Sequence, residues 1–119
     1  MNPIEIYNRT KTLSDACIKV ALLMPNNHAM APYVKVELIR HSSDLCICTR
    51  SLKSEQVSSV FVERLNKAVD ASNGCGYWLQ MVIDQALLDQ QVILPLLHEA
   101  DNMSSLFLSA LKRGRNKTE

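Results

Sequence analysis

Four cysteines (Cys17, Cys46, Cys48 and Cys75) and three histidines (His28, His41 and His98) are the residues of this 119-residue chain best suited to metal binding or nucleophilic chemistry. Their spacing supports neither. Cys46 and Cys48 form a C-x-C, and on a helix that offset separates the two side chains by about 200°, so they cannot converge on one metal. The histidines have no H-x-x-x-H or H-x-x-E-H partner, and the chain holds no glycine-rich phosphate loop, nucleophile elbow or paired-carboxylate motif. No catalytic residue, metal site or cofactor is therefore assigned. An enzyme would need a cysteine and a histidine to meet in space, with turnover lost on replacing His28, His41 or Cys75, and His28 reads instead as a cap or loop hydrogen-bonding residue. All four cysteines fall within apolar helical patterns of a chain long enough to bury a core without staples. They are expected as reduced thiols of a cytoplasmic protein.

The chemistry that remains is phosphate binding by cations. Thirteen Lys plus Arg against twelve Asp plus Glu leave a net charge of +1, short of the basic excess that marks a nucleic-acid binder by composition. The distribution is uneven, however: residues 1–54 sum to +3, residues 55–111 to −5 and residues 112–119 to +3. Charge is thus polarised by segment, and the basic segments can present one phosphate-binding surface. The expected nucleic-acid-binding residues are Lys11, Lys19, Arg40, Arg50 and Lys53, with Lys112, Arg113, Arg115 and Lys117 in a frayed C-terminal tail.

Helices must position these groups. Only three glycines and four prolines starve the chain of the turns that a many-stranded fold requires. From Pro3 to Met24, Ile6, Leu13, Cys17, Val20 and Met24 step by seven, four, three and four, until Pro25-Asn26-Asn27 breaks the pattern. A second helix starts near Pro32 and carries Leu38, Ser42, Leu45, Thr49 and Leu52 up to Lys53. The third keeps the four-three alternation through Phe61, Leu65, Ala68, Ser72, Cys75, Leu79, Val82 and Ala86. Gly74 and Gly76 interrupt it at about 1 kcal/mol each, which points to the close approach of another helix. Asp89 is the expected N-cap of the fourth helix, with Ile93, Leu96, Ala100, Met103, Phe107 and Ala110 as its seam. Pro95 predicts a kink or an irregular first turn there.

Four amphipathic helices with short connections give an all-α fold, an antiparallel up-down-up-down four-helix bundle over residues 1–111, followed by the basic tail of residues 112–119. No window approaches 18 uninterrupted apolar residues, and residues 1–7 lack a basic stretch followed by an apolar run, so neither a membrane span nor a signal peptide is expected. Away from the seams, the second helix carries Val36, Arg40, Ser43 and Ile47, and the third carries Tyr77 and Met81. A lone bundle would expose these apolar groups, so Val36, Ile47, Tyr77 and Met81 are assigned to a contact between copies in a homo-oligomer.

The order of these features resembles a bacterial family of four-helix bundles. It comprises Avd, the accessory variability determinant of diversity-generating retroelements, and the proteins encoded in intervening sequences of large-subunit ribosomal RNA. The resemblance spans about Tyr7 to Lys112. It rests on Met24-Pro25-Asn26-Asn27-His28 at the first turn, on Phe61, Leu65, Ala68 and Tyr77-Trp78-Leu79, and on Glu99, Met103 and Leu111-Lys112. It implies a non-catalytic protein that assembles as a homopentamer and associates with a reverse transcriptase and its template RNA to support mutagenic cDNA synthesis. The alternative within the family is a structural protein of the intervening-sequence type with no polymerase partner. Asn26 and Asn27 stand where Avd is basic, and Ala29 replaces a glycine.

Overall fold

The computed structural model describes residues 2–52 and 59–118, the last five of them as backbone only. Four helices account for nearly all of it: α1 (Pro3–Leu23), α2 (Ala31–Leu52), α3 (Ser59–Asp84) and α4 (Gln90–Thr118). Each boundary has a local cause. The Asn2 side chain accepts hydrogen bonds from the Ile4 and Glu5 N–H groups at 3.1 and 3.2 Å, while Pro3 occupies the first helical position, where no N–H is needed. Met24 leaves α1 in an extended conformation, as the residue before Pro25 must. His28 then organises the turn into α2: its Nδ1 accepts from the Met30 N–H at 3.0 Å and its carbonyl from the Ala31 N–H at 3.1 Å.

The end of α3 departs from the period that the sequence shows. Ala86 continues the seam spacing but lies outside the helix, exposed, with a φ of 52°. The Leu87 N–H reaches the Val82 carbonyl at 2.9 Å and the Ala86 N–H reaches that of Ile83 at 3.0 Å. This is a Schellman cap with Leu87 and Val82 both buried across it. Glycine normally takes the left-handed position, because a Cβ there costs about 1–2 kcal/mol. Ala86→Gly is therefore expected to stabilise the fold by about 0.5–1 kcal/mol after the unfolded-state entropy of glycine is charged against it. Urea unfolding would read this as a higher midpoint at unchanged slope.

Asp89 caps α4 as expected, accepting from the Gln91 N–H at 2.9 Å. The first turn is tightened, with the Val92 N–H bonded to the Asp89 carbonyl at 3.0 Å. The helix absorbs Pro95 in its interior. Pro95 and Gln91, whose carbonyl would have accepted the missing N–H, are both exposed, so water can satisfy that carbonyl. The helical backbone also continues to Thr118, through the residues expected as a basic C-terminal tail.

The helices pack in chain order, α1 against α2, α2 against α3 and α3 against α4, with a lighter contact returning from α4 to α1. The result is an elongated bundle of 52 × 20 × 20 Å. Every seam residue named for α1 and α2 is buried, as are Phe61 through Val82 of the α3 seam. In α4, Ile93, Ala100, Met103, Phe107 and Ala110 are buried, and Leu96 packs half-buried against the core. Two polar pairs interrupt this apolar interior. Thr10, which fills the gap between Ile6 and Leu13, shares a 2.7 Å hydrogen bond with Thr49. Ser72 shares one of 2.6 Å with Ser104, which also donates to Asn73 at 2.8 Å. Each hydroxyl has one proton to give, and the carbonyls of Tyr7, Leu45 and Val69 lie in reach as alternative acceptors; among the described residues no buried polar side-chain atom lacks a partner. Among the described residues no helix is long and apolar enough to cross a membrane.

Candidate nucleic-acid interface

Antiparallel packing brings together the start of α1, the end of α2, the start of α3 and the end of α4. Within the nine helical residues of each helix nearest that end stand nine cations: Arg9, Lys11, Arg50, Arg64, Lys67, Lys112, Arg113, Arg115 and Lys117. Three carboxylates, Glu5, Asp44 and Glu63, accompany them. The same window at the opposite end holds two cations, Lys19 and Lys35, against Asp15, Glu37 and Asp84. Charge is therefore segregated by end of the bundle more than by helix, and a molecule of net charge +1 carries a concentrated positive field at one pole.

Of the residues expected from the sequence, Lys11, Arg50, Lys112 and Arg113 are exposed at this pole. Arg115 and Lys117 follow on the last turns of α4. Ser72 and Ser104 fix the register of α3 and α4, and it places those turns beside the first turns of α3. Lys19 and Arg40 are exposed but lie away from the pole, Lys19 toward the opposite end and Arg40 in mid-helix. Lys53 lies outside the described residues.

Arg64 and Lys67 are the cations that segment-wise counting misses. They belong to an acidic stretch of sequence, and only the chain's topology turns them toward the basic pole. Arg64 Nη1 donates to the Ser51 carbonyl at 3.4 Å, tying α3 to the last turn of α2, and Lys67 sits 3.6 Å from Glu63. Arg9 is committed elsewhere, to a two-pronged contact with Glu99 across the α1–α4 seam, Nη2–Oε1 2.6 Å and Nε–Oε2 3.2 Å. The hydrogen bond to Glu99 raises its pKa further, so Arg9 closes the bundle and is the least available of these cations.

Cationic side chains exposed on several helices have the chemistry to meet phosphates in register-tolerant fashion, where affinity would depend on salt and carry little base readout. Nucleophilic chemistry has poor material. Cys17 and Cys75 are buried, and burial pushes the Cys17 thiol up to about 12 and the Cys75 thiol upward as well, which keeps both protonated at neutral pH. All four cysteines are free. Among the described residues, no group of three or more His, Cys, Asp or Glu is placed to hold a metal ion.

A second surface runs along α2 and α3. Val36, Ile47 and Tyr77 are about 60–70% exposed, at 63%, 67% and 59% respectively, and Tyr33 joins them at 66%. Met81, assigned to the same contact by sequence, is half-buried against the core. Trp78 links the two helices, its ring 5.0 Å from that of Tyr77 in an edge-on arrangement and 6.3 Å from that of Tyr33.

Fold and site together define a four-helix bundle with one basic pole and an apolar flank. The chain is similar to a solved protein of unknown function from the S23 ribosomal protein family of Bacteroides thetaiotaomicron, at 15% identity and a TM-score of 0.80, over 94% of this chain and 99% of that one. At that identity the likeness establishes the shared four-helix fold. No protein-family model and no curated protein matches the chain.

Proposed function

We propose that this chain is a non-catalytic accessory protein that binds RNA through its basic pole and, in the manner of Avd, works beside a reverse transcriptase during mutagenic cDNA synthesis. The observation that carries the nucleic-acid part is the gathering of nine cations and three carboxylates at one end of a bundle whose total charge is nearly zero. The polymerase part rests on the resemblance in the first turn and in Tyr77-Trp78-Leu79. Chemistry would belong to the polymerase, and this chain would hold and position the template strand.

The test has two arms. Purified protein titrated into a labelled, unstructured RNA of about 20 nucleotides should bind saturably at 50 mM salt and release it by 500 mM. Co-expression with a reverse transcriptase encoded beside it should give a complex that contains RNA. Protein that ignores RNA at low salt overturns the nucleic-acid reading, and a protein that binds RNA but never the polymerase overturns the accessory role. A structural protein of the intervening-sequence type is the second reading, favoured by the S23-family fold over 94% of the chain. An enclosing ribosomal RNA gene would select it.

A further inference from the structure

We infer that the channel between α2 and α3 is a docking groove for a basic amphipathic helix of another protein. Two hollows bear on it. One, of about 360 Å³, is lined by α2 residues alone, Pro32, Tyr33, Val36 and Glu37. The other, of about 340 Å³, lies further along α2, between Ile47 and Cys48 on one side and Ala71 on the other, with His41, Asp44, Lys67 and Asp70 at its margins. Tyr33, Val36 and Ile47 are exposed on α2, and near the start of that helix the Tyr33 ring lies 6.3 Å from that of Trp78 on α3, which meets exposed Tyr77 edge-on. That is the arrangement into which a helix lays anchors at i, i+3 or i+4 and i+7.

The rim determines the sign of the partner. Glu37, Asp44, Glu63 and Asp70 stand against Arg40, Arg64 and Lys67; Arg40 lies 3.6 Å and His41 Nε2 3.3 Å from Glu37, Lys67 lies 3.6 Å from Glu63, and Arg64 donates to the Ser51 carbonyl. Asp44 and Asp70 make no ion pair among the described residues; burial, and after it Asp44, pushes the Cys48 thiol up, while Lys67 and Arg64 act in the opposite direction. Lysines or arginines flanking an apolar stripe would complete them.

A second copy of this chain fits less well. Face-to-face pairing would set the same carboxylates against one another. The exposed large apolar residues of the other two outward faces are Ile4, Leu22 and Leu23 on α1 and Val92 and Leu108 on α4, separated by polar stretches. Between Ile4 and Leu22 the exposed residues of α1 are Glu5, Asn8, Lys11, Thr12, Asp15 and Lys19. Between Pro95 and Leu108 those of α4 are His98, Asp101, Asn102 and Ser105. The contact between copies assigned to Val36, Ile47 and Tyr77 is thus the rival occupant of the groove.

This inference is independent of RNA binding, and Trp78, the chain's single tryptophan, supplies the readout from within the groove wall. Two synthetic helical peptides of about 18 residues would be titrated against the intact protein. They share one leucine stripe and differ only in a polar face of lysine or of glutamate. The lysine peptide should shift Trp78 emission saturably, and the glutamate peptide should bind at least tenfold more weakly. Val36→Ser with Ile47→Ser, both surface changes, should weaken the lysine peptide at least tenfold while leaving RNA affinity unchanged. Asp44→Lys with Asp70→Lys should reverse the peptide preference. Equal response to both peptides, or no saturable response, overturns the inference. So does a free protein that is already a pentamer or dimer by light scattering and becomes monomeric with Val36→Ser and Ile47→Ser, since a second copy would then fill the groove.

Discussion

Glutamine in place of Arg50, Lys112 and Arg113 together is expected to weaken binding of single-stranded RNA about a hundredfold near 0.1 M salt. Each phosphate contact on a single strand contributes about 0.7 to the slope of log K against log salt, so three lost contacts flatten the slope by about 2 and remove about two decades of affinity at that concentration. The three residues are chosen because they are exposed on α2 and α4 at the basic pole. Arg9 and Arg64 are excluded because they tie helices together, and their loss would confuse binding with folding. Replacing Lys112 to Lys117 by deletion is the poorer experiment, since the helix runs through them and Leu111 is buried immediately before. Lys19→Gln, on the same helix as Lys11 but toward the opposite end, supplies the control and should change affinity less than threefold. If Lys19→Gln costs as much as the triple variant divided among its three sites, the end of the bundle is not the binding surface and the charge is acting as a diffuse field.

That contrast also marks where the sequence was legible. Seams were readable because one buried face of a helix repeats every three or four residues whatever the chain's topology, and Leu38 to Leu52 or Phe61 to Val82 obey it without exception. The period is blind to backbone handedness, so Ala86 looks like one more seam residue when it is the left-handed cap that ends α3. Thr10 was missed for a different reason: the α1 seam was stepped by seven from Ile6 to Leu13, across the very position where Thr10 is buried and pairs with Thr49. The basic pole was half readable: cations on α1, α2 and α4 were counted, but Arg64 and Lys67 sit in an acidic stretch. Only the antiparallel reversal between α2 and α3 brings them to the same pole. Local pattern gives faces, and topology decides which ends meet.

The two glycines of α3 make the sharpest stability prediction, because they are two residues apart on one helix and face different neighbours, Gly74 the imidazole of His41 on α2 and Gly76 the side chains of Leu97 and Asp101 on α4. Alanine at either should gain about 1 kcal/mol of helix propensity. At Gly76 a Cβ would meet Asp101 Oδ1 at 3.6 Å and Leu97 Cδ1 at 3.8 Å, ordinary contact distances, so Gly76→Ala should stabilise the bundle by up to that amount. At Gly74 the same atom would fall 2.8 Å from His41 Cγ, 2.9 Å from Cε1 and closer still to Nδ1. The close approach expected from the sequence is therefore real at Gly74, and it is the imidazole of α2 that approaches. The ring cannot swing away freely, because its Nε2 lies 3.3 Å from Glu37 Oε2 and it walls the groove beside Asp44 and Asp70. Overpacking of this kind costs about 1–3 kcal/mol, so Gly74→Ala should lose stability where Gly76→Ala gains it. His41→Ala removes the obstacle, and in that background Gly74→Ala should become neutral or stabilising, a coupling of about 1–3 kcal/mol in a double-mutant cycle read by urea unfolding. Additivity of the two changes would show that His41 rotates aside at no cost and that Gly74 is needed for another reason. The same cycle reports on the groove, since a His41 held against Gly74 keeps α2 and α3 at a fixed separation along the surface where a partner helix would lie.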